Sequence, residues 1–269
     1  MSEKQSIVRV NGVDINVIDV GCGGPAFIFL HYWGGSSRTW GPVIAGLSET
    51  NRCIAIDFRG WGQSSKDAPD YELEMLASDV IGVVEELGLQ EFIIVGHSMG
   101  GKVAQLVAAR KPEGLEALIL IAPAPPTPMN VPKEQREQMI ASYQARQGAE
   151  TVVGILSERR LTDAHREQVI EDTLRGAPDA KRAWPERGMT KDISEKASEI
   201  DVPVRVIVGS ADKVESETAL RAAFHEALPG TQFVVLPGVG HLSPLEATAE
   251  VVDAIRSALL AAPLSGSGQ

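Results

Sequence analysis

Six short runs of almost uninterrupted apolar residues constrain the fold of this chain more than any other feature. Each run is four or five residues long. The runs lie at residues 26–30, 53–56, 92–95, 117–121, 204–208 and 232–236. A strand buried on both faces has this pattern, whereas a strand with one solvated face alternates apolar and polar residues. The runs therefore predict a mostly parallel sheet that is covered on both faces.

Helical patterns lie between several of these runs and after the last one. Apolar residues recur at helical spacing in residues 73–87, 102–110, 218–228 and 245–260. Before the first run, residues 7–10 and 14–20 alternate around Asn11-Gly12, which is the commonest signal for a two-residue hairpin. The prediction is an α/β fold with a twisted, mostly parallel sheet of about eight strands and helices on both faces.

One long segment, residues 123–200, interrupts the alternation of strands and helices. It opens with five prolines in residues 123–132 and continues with charged, weakly amphipathic helical patterns. We predict that this segment is a helical lid inserted into an α/β core formed by residues 1–122 and 201–262. Residues 263–269 are rich in Gly and Ser, and we expect them to be a disordered tail.

The composition excludes several kinds of partner. The net charge is -11 and the isoelectric point is near 5.0, whereas a nucleic-acid-binding protein needs a clustered basic face. No apolar stretch approaches the roughly 20 residues that span a bilayer, and the first residues lack the apolar stretch of a signal peptide. Cys22 and Cys53 have neither metal-ligand spacing nor the density of a disulfide scaffold. We therefore expect a cytoplasmic protein that binds neither nucleic acid nor a membrane, with its oligomeric state left open.

The segment around Ser98 gives the strongest indication of chemistry. A predicted strand at residues 92–95 leads into Gly-His-Ser-Met-Gly at residues 96–100, and a helical pattern follows. In a nucleophile elbow the same Gly-x-Ser-x-Gly pattern joins a strand to a helix, and the glycines let the backbone pass a serine with strained dihedral angles. Ser98 is therefore the candidate nucleophile, and a merely structural glycine-rich connection is the alternative.

A serine hydroxyl needs a base to take its proton, and the base needs a carboxylate. His241 follows the last predicted strand, which places it at the carboxyl edge of the sheet beside Ser98. Asp212 follows the strand at residues 204–208 and completes the chain order Ser, acid, His; a helix-capping turn is its alternative role. The remaining histidines are assigned to the interior of the elbow, to a loop after a strand, or to charged helical surfaces: His97, His31, His165 and His225.

The negative charge that develops on the attacked carbonyl oxygen needs two preorganised donors. One should be the backbone N–H of Met99, directly after the nucleophile. The other should come from the loop after the first apolar run, which reads His-Tyr-Trp-Gly-Gly-Ser at residues 31–36. Such a mechanism requires no metal and no organic cofactor.

Several motifs, taken in their order along the chain, resemble those of the α/β-hydrolase family. They are the loop at residues 31–35, the turn at residues 57–64, the elbow, residues 209–212 and Gly240-His241. In style the chain is similar to lidded bacterial esterases, lactonases and cofactor-free haloperoxidases, also called perhydrolases. The resemblance covers nearly the whole chain, and it is specific for the fold but not for a substrate.

The resemblance also implies roles for single residues of two loops. The backbone N–H of Trp33 would be the second oxyanion donor. Tyr32 replaces a glycine that is usual in the family, so we expect a differently shaped loop, because a tyrosine cannot adopt glycine-only conformations cheaply. The turn at residues 57–64 would be structural, with Asp57 and Arg59 tying it down.

Apolar side chains at helical spacing within the predicted lid should supply part of a substrate pocket. Most of them are expected to pack the lid on the core, while a minority roof the nucleophile and exclude water. The predicted pocket residues come from the oxyanion loop and from this segment: Trp33, His31, Tyr32, Met139, Tyr143 and Trp184.

The sequence thus predicts a serine hydrolase that cleaves a small to medium carboxylic ester or lactone through an acyl-enzyme. A perhydrolase, or a hydrolase of carbon–carbon bonds, could use the same residues. A non-catalytic ligand receptor on this fold is the alternative from another class. The intact set of Ser98, Asp212 and His241 argues against the receptor, because a pure binder has no need of three groups in reactive order.

Overall fold

The computed structural model describes residues 3–261, which form one eight-stranded sheet. The strands are β1 (Lys4–Val10), β2 (Val13–Val20), β3 (Ala26–Leu30), β4 (Cys53–Ile56), β5 (Phe92–His97), β6 (Leu115–Ile121), β7 (Val204–Gly209) and β8 (Gln232–Leu236). Across the sheet their order is β1-β2-β4-β3-β5-β6-β7-β8. β2 pairs antiparallel with β1 and β4, and the other neighbouring pairs are parallel. The predicted α/β class and mostly parallel sheet are confirmed.

The strands begin and end close to the bounds of the apolar runs. β3, β4 and β8 coincide with their runs, and β5, β6 and β7 extend theirs by one or two residues. At the β1–β2 turn, Asn11 has a φ of 46° and Gly12 a φ of 79°. A two-residue turn with positive φ at both positions matches the right-handed twist of the strands that it joins.

Helices cover both faces of the sheet. Outside the segment between β6 and β7 they are α1 (Gly41–Leu47), α2 (Leu73–Glu86), α3 (Met99–Ala108), α9 (Glu217–Ala227), α10 (Ser243–Glu246) and α11 (Thr248–Ala261). Along β3, Phe27 and Phe29 belong to the apolar cluster that includes α1 and α11, whereas Ile28 and Leu30 belong to the cluster that includes α2 and α3. Alternate side chains of one strand thus serve both layers, which is why its sequence is apolar throughout.

A helical segment stands between β6 and β7, and we call residues 122–203 the insertion. It contains α4 (Lys133–Ser142), α5 (Arg146–Leu156), α6 (Asp163–Arg175), α7 (Pro178–Ala183), a π-helical turn (Trp184–Gly188) and α8 (Ser194–Ala197). Its Val153, Val169 and Ile170 are buried in one apolar cluster with Tyr32 and Leu242 of the core. The insertion is therefore packed on the core and is not a separate body.

Two further sequence predictions concern the ends of the chain and membranes. The predicted tail at residues 263–269 lies outside the described residues. Within residues 3–261, no helix has the length and apolar character required to cross a bilayer.

The turn at residues 57–64 is tied down by two buried charged side chains. The Asp57 carboxylate accepts hydrogen bonds from the backbone N–H groups of Ser37 and Gln63 and from the Asn16 amide. The Arg59 guanidinium donates to both carboxylate oxygens of Asp79, at 2.6 and 2.7 Å. These contacts fix the turn beside the loop that follows β3.

Candidate active site

Ser98 occupies the sharp turn between β5 and α3, with φ 54° and ψ -116°. A non-glycine residue rarely adopts such a conformation, and the surrounding backbone holds it there. The Ser98 N–H donates to the Ile121 carbonyl at 3.1 Å, and the Ser98 carbonyl accepts from the N–H of Ala124 at 3.0 Å. The predicted strand–turn–helix context of the elbow is thus present, and strain is stored at the serine itself.

Glycines flank Ser98 because its neighbours approach other parts of the backbone closely. A Cβ atom on Gly96 would lie 2.5 Å from the Gly100 carbonyl oxygen, and one on Gly100 would lie 2.5 Å from the carbonyl oxygens of Leu30 and His31. Backbone atoms cannot move aside as a flexible side chain can. The close approach also brings the start of α3 against the loop that follows β3.

His241 and Asp212 meet at the carboxyl edge of the sheet. The His241 Nδ1–H donates to Asp212 Oδ2 at 2.8 Å, and both side chains are buried. Asp212 Oδ1 accepts from the backbone N–H groups of Val214 at 2.7 Å and Glu215 at 3.1 Å. These bonds fix the carboxylate, which in turn fixes the tautomer that leaves His241 Nε2 free to accept a proton.

Charge interactions shift the pKa values of both groups toward the ion pair. Burial alone would lower the pKa of His241, but the adjacent Asp212 carboxylate, its hydrogen bond and the nearby Glu215 raise it above 6.5. Burial would raise the pKa of Asp212, but His241 and the hydrogen bonds to Oδ1 and Oδ2 lower it. Asp212 is therefore ionised at neutral pH, and His241 is a stronger base than a free imidazole.

Ser98 and His241 line the same cavity, and Ser98 is half-buried. Within residues 3–261, the Ser98 hydroxyl makes no hydrogen bond. Serine-to-histidine contacts are often long before a substrate binds and tighten in the complex. The cavity thus holds an unengaged hydroxyl and a buried base in one space.

The two predicted oxyanion donors lie on the two sides of the contact between α3 and the loop after β3. Met99 is the first residue of α3, where a backbone N–H has no partner within its own helix. The Trp33 N–H makes no hydrogen bond within the described part of the chain. Tyr32 does not have a positive φ, so the loop accommodates a tyrosine without glycine-only backbone.

Two histidines near the site hold backbone and do not face the substrate. The prediction that His31 is a pocket residue is wrong: it is fully buried, its Nδ1–H donates to the Tyr32 carbonyl at 2.7 Å, and its Nε2 accepts from the Phe58 N–H at 3.1 Å. Its ring therefore joins the loops after β3 and β4. The His97 Nε2–H donates to the His241 carbonyl at 2.8 Å. Burial lowers the pKa of His31 to about 4 and that of His97 to about 3, so both stay neutral.

The cavity has a volume of about 480 Å³ and is lined mainly by apolar side chains. Of the predicted pocket residues, those in the lining are Tyr32, Trp33, Met139, Tyr143 and Trp184. Further apolar lining residues come from the insertion: Met129, Val131, Val152, Ile155, Leu156 and Met189. Ile155 and Val214 line the cavity and are also exposed, so the mouth of the cavity is apolar.

Apart from His241, Lys213 is the only charged side chain in this lining. Its ammonium group lies 2.8 Å from a carboxylate oxygen of Glu158, and both side chains are solvent-exposed. The polar lining groups are otherwise neutral: Ser98, Gln135, Gln138, Ser142 and Thr151. Among residues 3–261 there is no cluster of three His, Cys, Asp or Glu side chains placed to hold a metal ion.

A second buried carboxyl group, which the sequence analysis did not single out, lies near His241. Glu215 is 7% exposed and its Oε1 has no hydrogen-bond partner in the described chain. Burial raises the pKa of Glu215 to about 7, with Asp212 adding to the shift and His241 and Lys102 opposing it. Lys102 is itself buried on α3, where it donates to the carbonyls of Thr127 and Lys191 in the insertion.

The sheet order, the strained serine turn and the helical insertion together define a class of protein. The chain belongs to the alpha/beta hydrolase family, which matches residues 27–254. It is an enzyme of that family, whose relatives and structural neighbours include hydrolases.

Individual relatives are similar to the chain along most of its length. 2-(Acetamidomethylene)succinate hydrolase of Mesorhizobium japonicum is 27% identical over 87% of this chain and 87% of its own length. The bromoperoxidase from Bacillus anthracis superposes with a TM-score of 0.87 at 20% identity, covering 96% of this chain and 100% of its own. An esterase from Exiguobacterium antarcticum superposes with a TM-score of 0.87 at 21% identity, covering 95% and 98%. At such identities the structural matches establish the fold alone.

Proposed function

We propose that the protein is a serine hydrolase that cleaves a small to medium, uncharged carboxylic ester or lactone. Ser98 is the nucleophile, His241 the general base and Asp212 its supporting acid. The observation that carries the proposal is a strained serine opening into the same cavity as a histidine whose Nδ1 is bonded to a buried carboxylate. This arrangement has the logic of an activated nucleophile.

The proposed reaction proceeds through an acyl-enzyme. His241 Nε2 takes the hydroxyl proton as Ser98 Oγ attacks the ester carbonyl carbon, and the N–H groups of Met99 and Trp33 bind the oxyanion. The carbonyl re-forms, the alcohol oxygen leaves and His241 returns the proton to it. Water then attacks the acyl-enzyme by the same route, releasing the acid and the free serine.

The insertion acts as a lid in this proposal. Tyr143, Val152 and Leu156 line the cavity from the insertion, while Val153 and Val169 pack the insertion on the core. An apolar roof over Ser98 excludes water, which strengthens the interactions of the oxyanion with its donors. Apolar side chains of the insertion thus have two tasks, as their helical spacing suggests.

The cavity lining supports an uncharged substrate. No arginine of the described chain lines the cavity, and its single lysine is already paired with Glu158. A buried carboxylate on the substrate would therefore lack a dedicated partner, and burying an unpaired charge is costly. The three methionines of the lining, Met129, Met139 and Met189, suit an apolar group of variable shape.

Labelling with a fluorophosphonate, followed by intact-mass measurement, tests the proposal. The wild-type protein should gain one adduct per chain, and Ser98→Ala and His241→Ala should gain none at the same exposure. Ser78→Ala is the matched control, because this serine lies on α2 and donates to the Glu74 carbonyl away from the cavity. A folded wild-type protein that gains no adduct contradicts the proposal and favours a ligand receptor.

Substrate panels then separate the reactions that share this chemistry. Uncharged p-nitrophenyl esters and lactones should be hydrolysed faster than esters that carry a carboxylate on the acyl group. Bromination dependent on hydrogen peroxide and an organic acid would identify a perhydrolase instead, because peroxide then replaces water as the acceptor of the acyl group. Turnover of a carbon–carbon substrate with no ester hydrolysis would also contradict the ester assignment.

A further inference from the structure

The loop that follows β3 is held largely by side chains of the insertion. The Trp33 carbonyl accepts from the Tyr143 hydroxyl at 3.0 Å, and the Gly34 carbonyl accepts from the Thr173 hydroxyl at 3.4 Å. The Ser36 hydroxyl donates to a carboxylate oxygen of Asp172 at 2.7 Å. Successive residues of the loop are therefore positioned by groups that lie more than 100 residues away in the sequence.

Tyr143 makes the most extensive of these contacts. Its ring stacks on the Trp33 indole, with centroids 3.6 Å apart and planes 15° apart. Gly34 has a φ of +93°, and a Cβ atom on it would lie 2.6 Å from Tyr143 Cε1. The loop thus turns at a glycine where the Tyr143 ring fills the space that a side chain would occupy.

The Tyr143 side chain is itself immobilised. It is 2% exposed, and the Lys181 ammonium group donates to the Tyr143 carbonyl at 2.8 Å and to the Leu174 carbonyl at 2.9 Å. Burial raises the pKa of the Tyr143 phenol well above its usual value, so the hydroxyl keeps its proton and remains a donor. A fixed, protonated phenol is suited to hold one backbone carbonyl in one orientation.

We propose that Tyr143 is a positioning residue for the oxyanion hole, which makes the insertion a structural part of the catalytic machinery and more than a roof. The inference rests on the proposed function, in which Trp33 supplies the second oxyanion donor. The stack and the hydrogen bond fix the indole and the carbonyl of Trp33, and thereby the direction of its N–H. A donor already in place needs no reorganisation when negative charge develops.

The chemical consequence is specific to the transition state. Tyr143 also lines the cavity, so a mere wall would act on substrate binding and change KM. A residue that orients an oxyanion donor acts where the tetrahedral oxygen forms and changes kcat. The two roles therefore differ in a measurable way.

Tyr143→Phe is the decisive variant, because it keeps the stacked ring and removes only the hydroxyl. We expect kcat for p-nitrophenyl butyrate to fall about tenfold, with KM little changed. The affinity for a trifluoromethyl ketone, which forms a tetrahedral adduct with the serine, should fall by a similar factor. Tyr71→Phe is the matched control, since its hydroxyl also donates to a backbone carbonyl, that of Lys66, at 2.6 Å; its kcat should equal that of the wild type.

The outcomes separate this inference from the proposed function. Wild-type labelling at Ser98 together with an unchanged kcat in Tyr143→Phe, or a raised KM alone, would overturn the positioning role and leave the hydrolase assignment intact. An unlabelled wild type would overturn both. Complete labelling of Tyr143→Phe after long exposure, at a reduced rate, would establish that the variant is folded and that only the rate has changed.

Discussion

The two proposed oxyanion donors are held in different ways. Met99 is fixed by the elbow, where backbone hydrogen bonds join Ser98 to Ile121 and Ala124, and where Gly100 touches backbone oxygens of the loop after β3. Trp33 is fixed by side chains of the insertion, above all by Tyr143. One half of the site is thus built by main-chain geometry and the other by side chains from a distant segment. The first half should tolerate almost no change, whereas the second should be adjustable.

The most severe test of the main-chain half is the carboxylate that orients the base. Asp212→Asn should lower kcat about 10⁴-fold, because an amide cannot hold the tautomer that leaves His241 Nε2 free. The rate of ester hydrolysis checks this expectation, with Asp201→Asn as the control, since Asp201 forms an exposed ion pair with Lys111. A loss of less than about tenfold would exclude Asp212 as the supporting acid.

A pair of glycine variants compares the two halves directly. Gly100→Ala should reduce the fluorophosphonate labelling rate about 10²-fold or more, because its Cβ atom would meet backbone oxygens at 2.5 Å and displace the start of α3. Gly34→Ala should reduce the rate about tenfold, because its Cβ atom meets the Tyr143 ring and the backbone has a positive φ. Equal effects would remove the distinction between the halves.

The pH dependence of kcat/KM sharpens the description of the main-chain half. His241 must be neutral to accept a proton, and its pKa is raised above 6.5, so activity should fall as the pH decreases through a value above 6.5. Glu215→Gln removes a carboxyl group that contributes to this rise, so the acid limb should move to lower pH by less than about one unit. A limb that stays in place or moves upward would contradict the influence of Glu215.

The smallest expected effect concerns the shape of the cavity on the insertion side. Trp184 is 5% exposed and lines the cavity. Trp184→Leu should shift the preference toward longer acyl or alcohol chains, by about tenfold in the ratio of kcat/KM for octanoate over butyrate esters. Ile7→Ala, on the exposed surface of β1, is the control. An unchanged ratio would mean that Trp184 does not limit chain length.

The comparison also explains which features could be predicted from the sequence. The elbow and the strand bounds follow from local patterns, since burial on both faces demands continuous apolar runs and a sharp turn demands glycines at fixed positions. The fold class followed from the same patterns. Short helices such as α1, seven residues long, carry too little periodicity to be found in this way.

Residues that act through long-range contacts could not be found. Nothing local distinguishes His31, which bonds to the next loop of the sheet, from a histidine that faces a substrate. Glu215 resembles a surface glutamate until the fold buries it beside His241. The stacking of Tyr143 on Trp33 joins positions 110 apart, and their partnership depends on how the insertion packs.

The contacts between the insertion and the loop after β3 have a consequence for modular exchange. A graft that replaced residues 122–203 with the corresponding segment of a relative would remove the donors to the Trp33 and Gly34 carbonyls and the acceptor for Ser36. A chimera should therefore work only when residues 32–36 travel with the graft. The two segments form a single unit of inheritance, although the chain separates them by a third of its length.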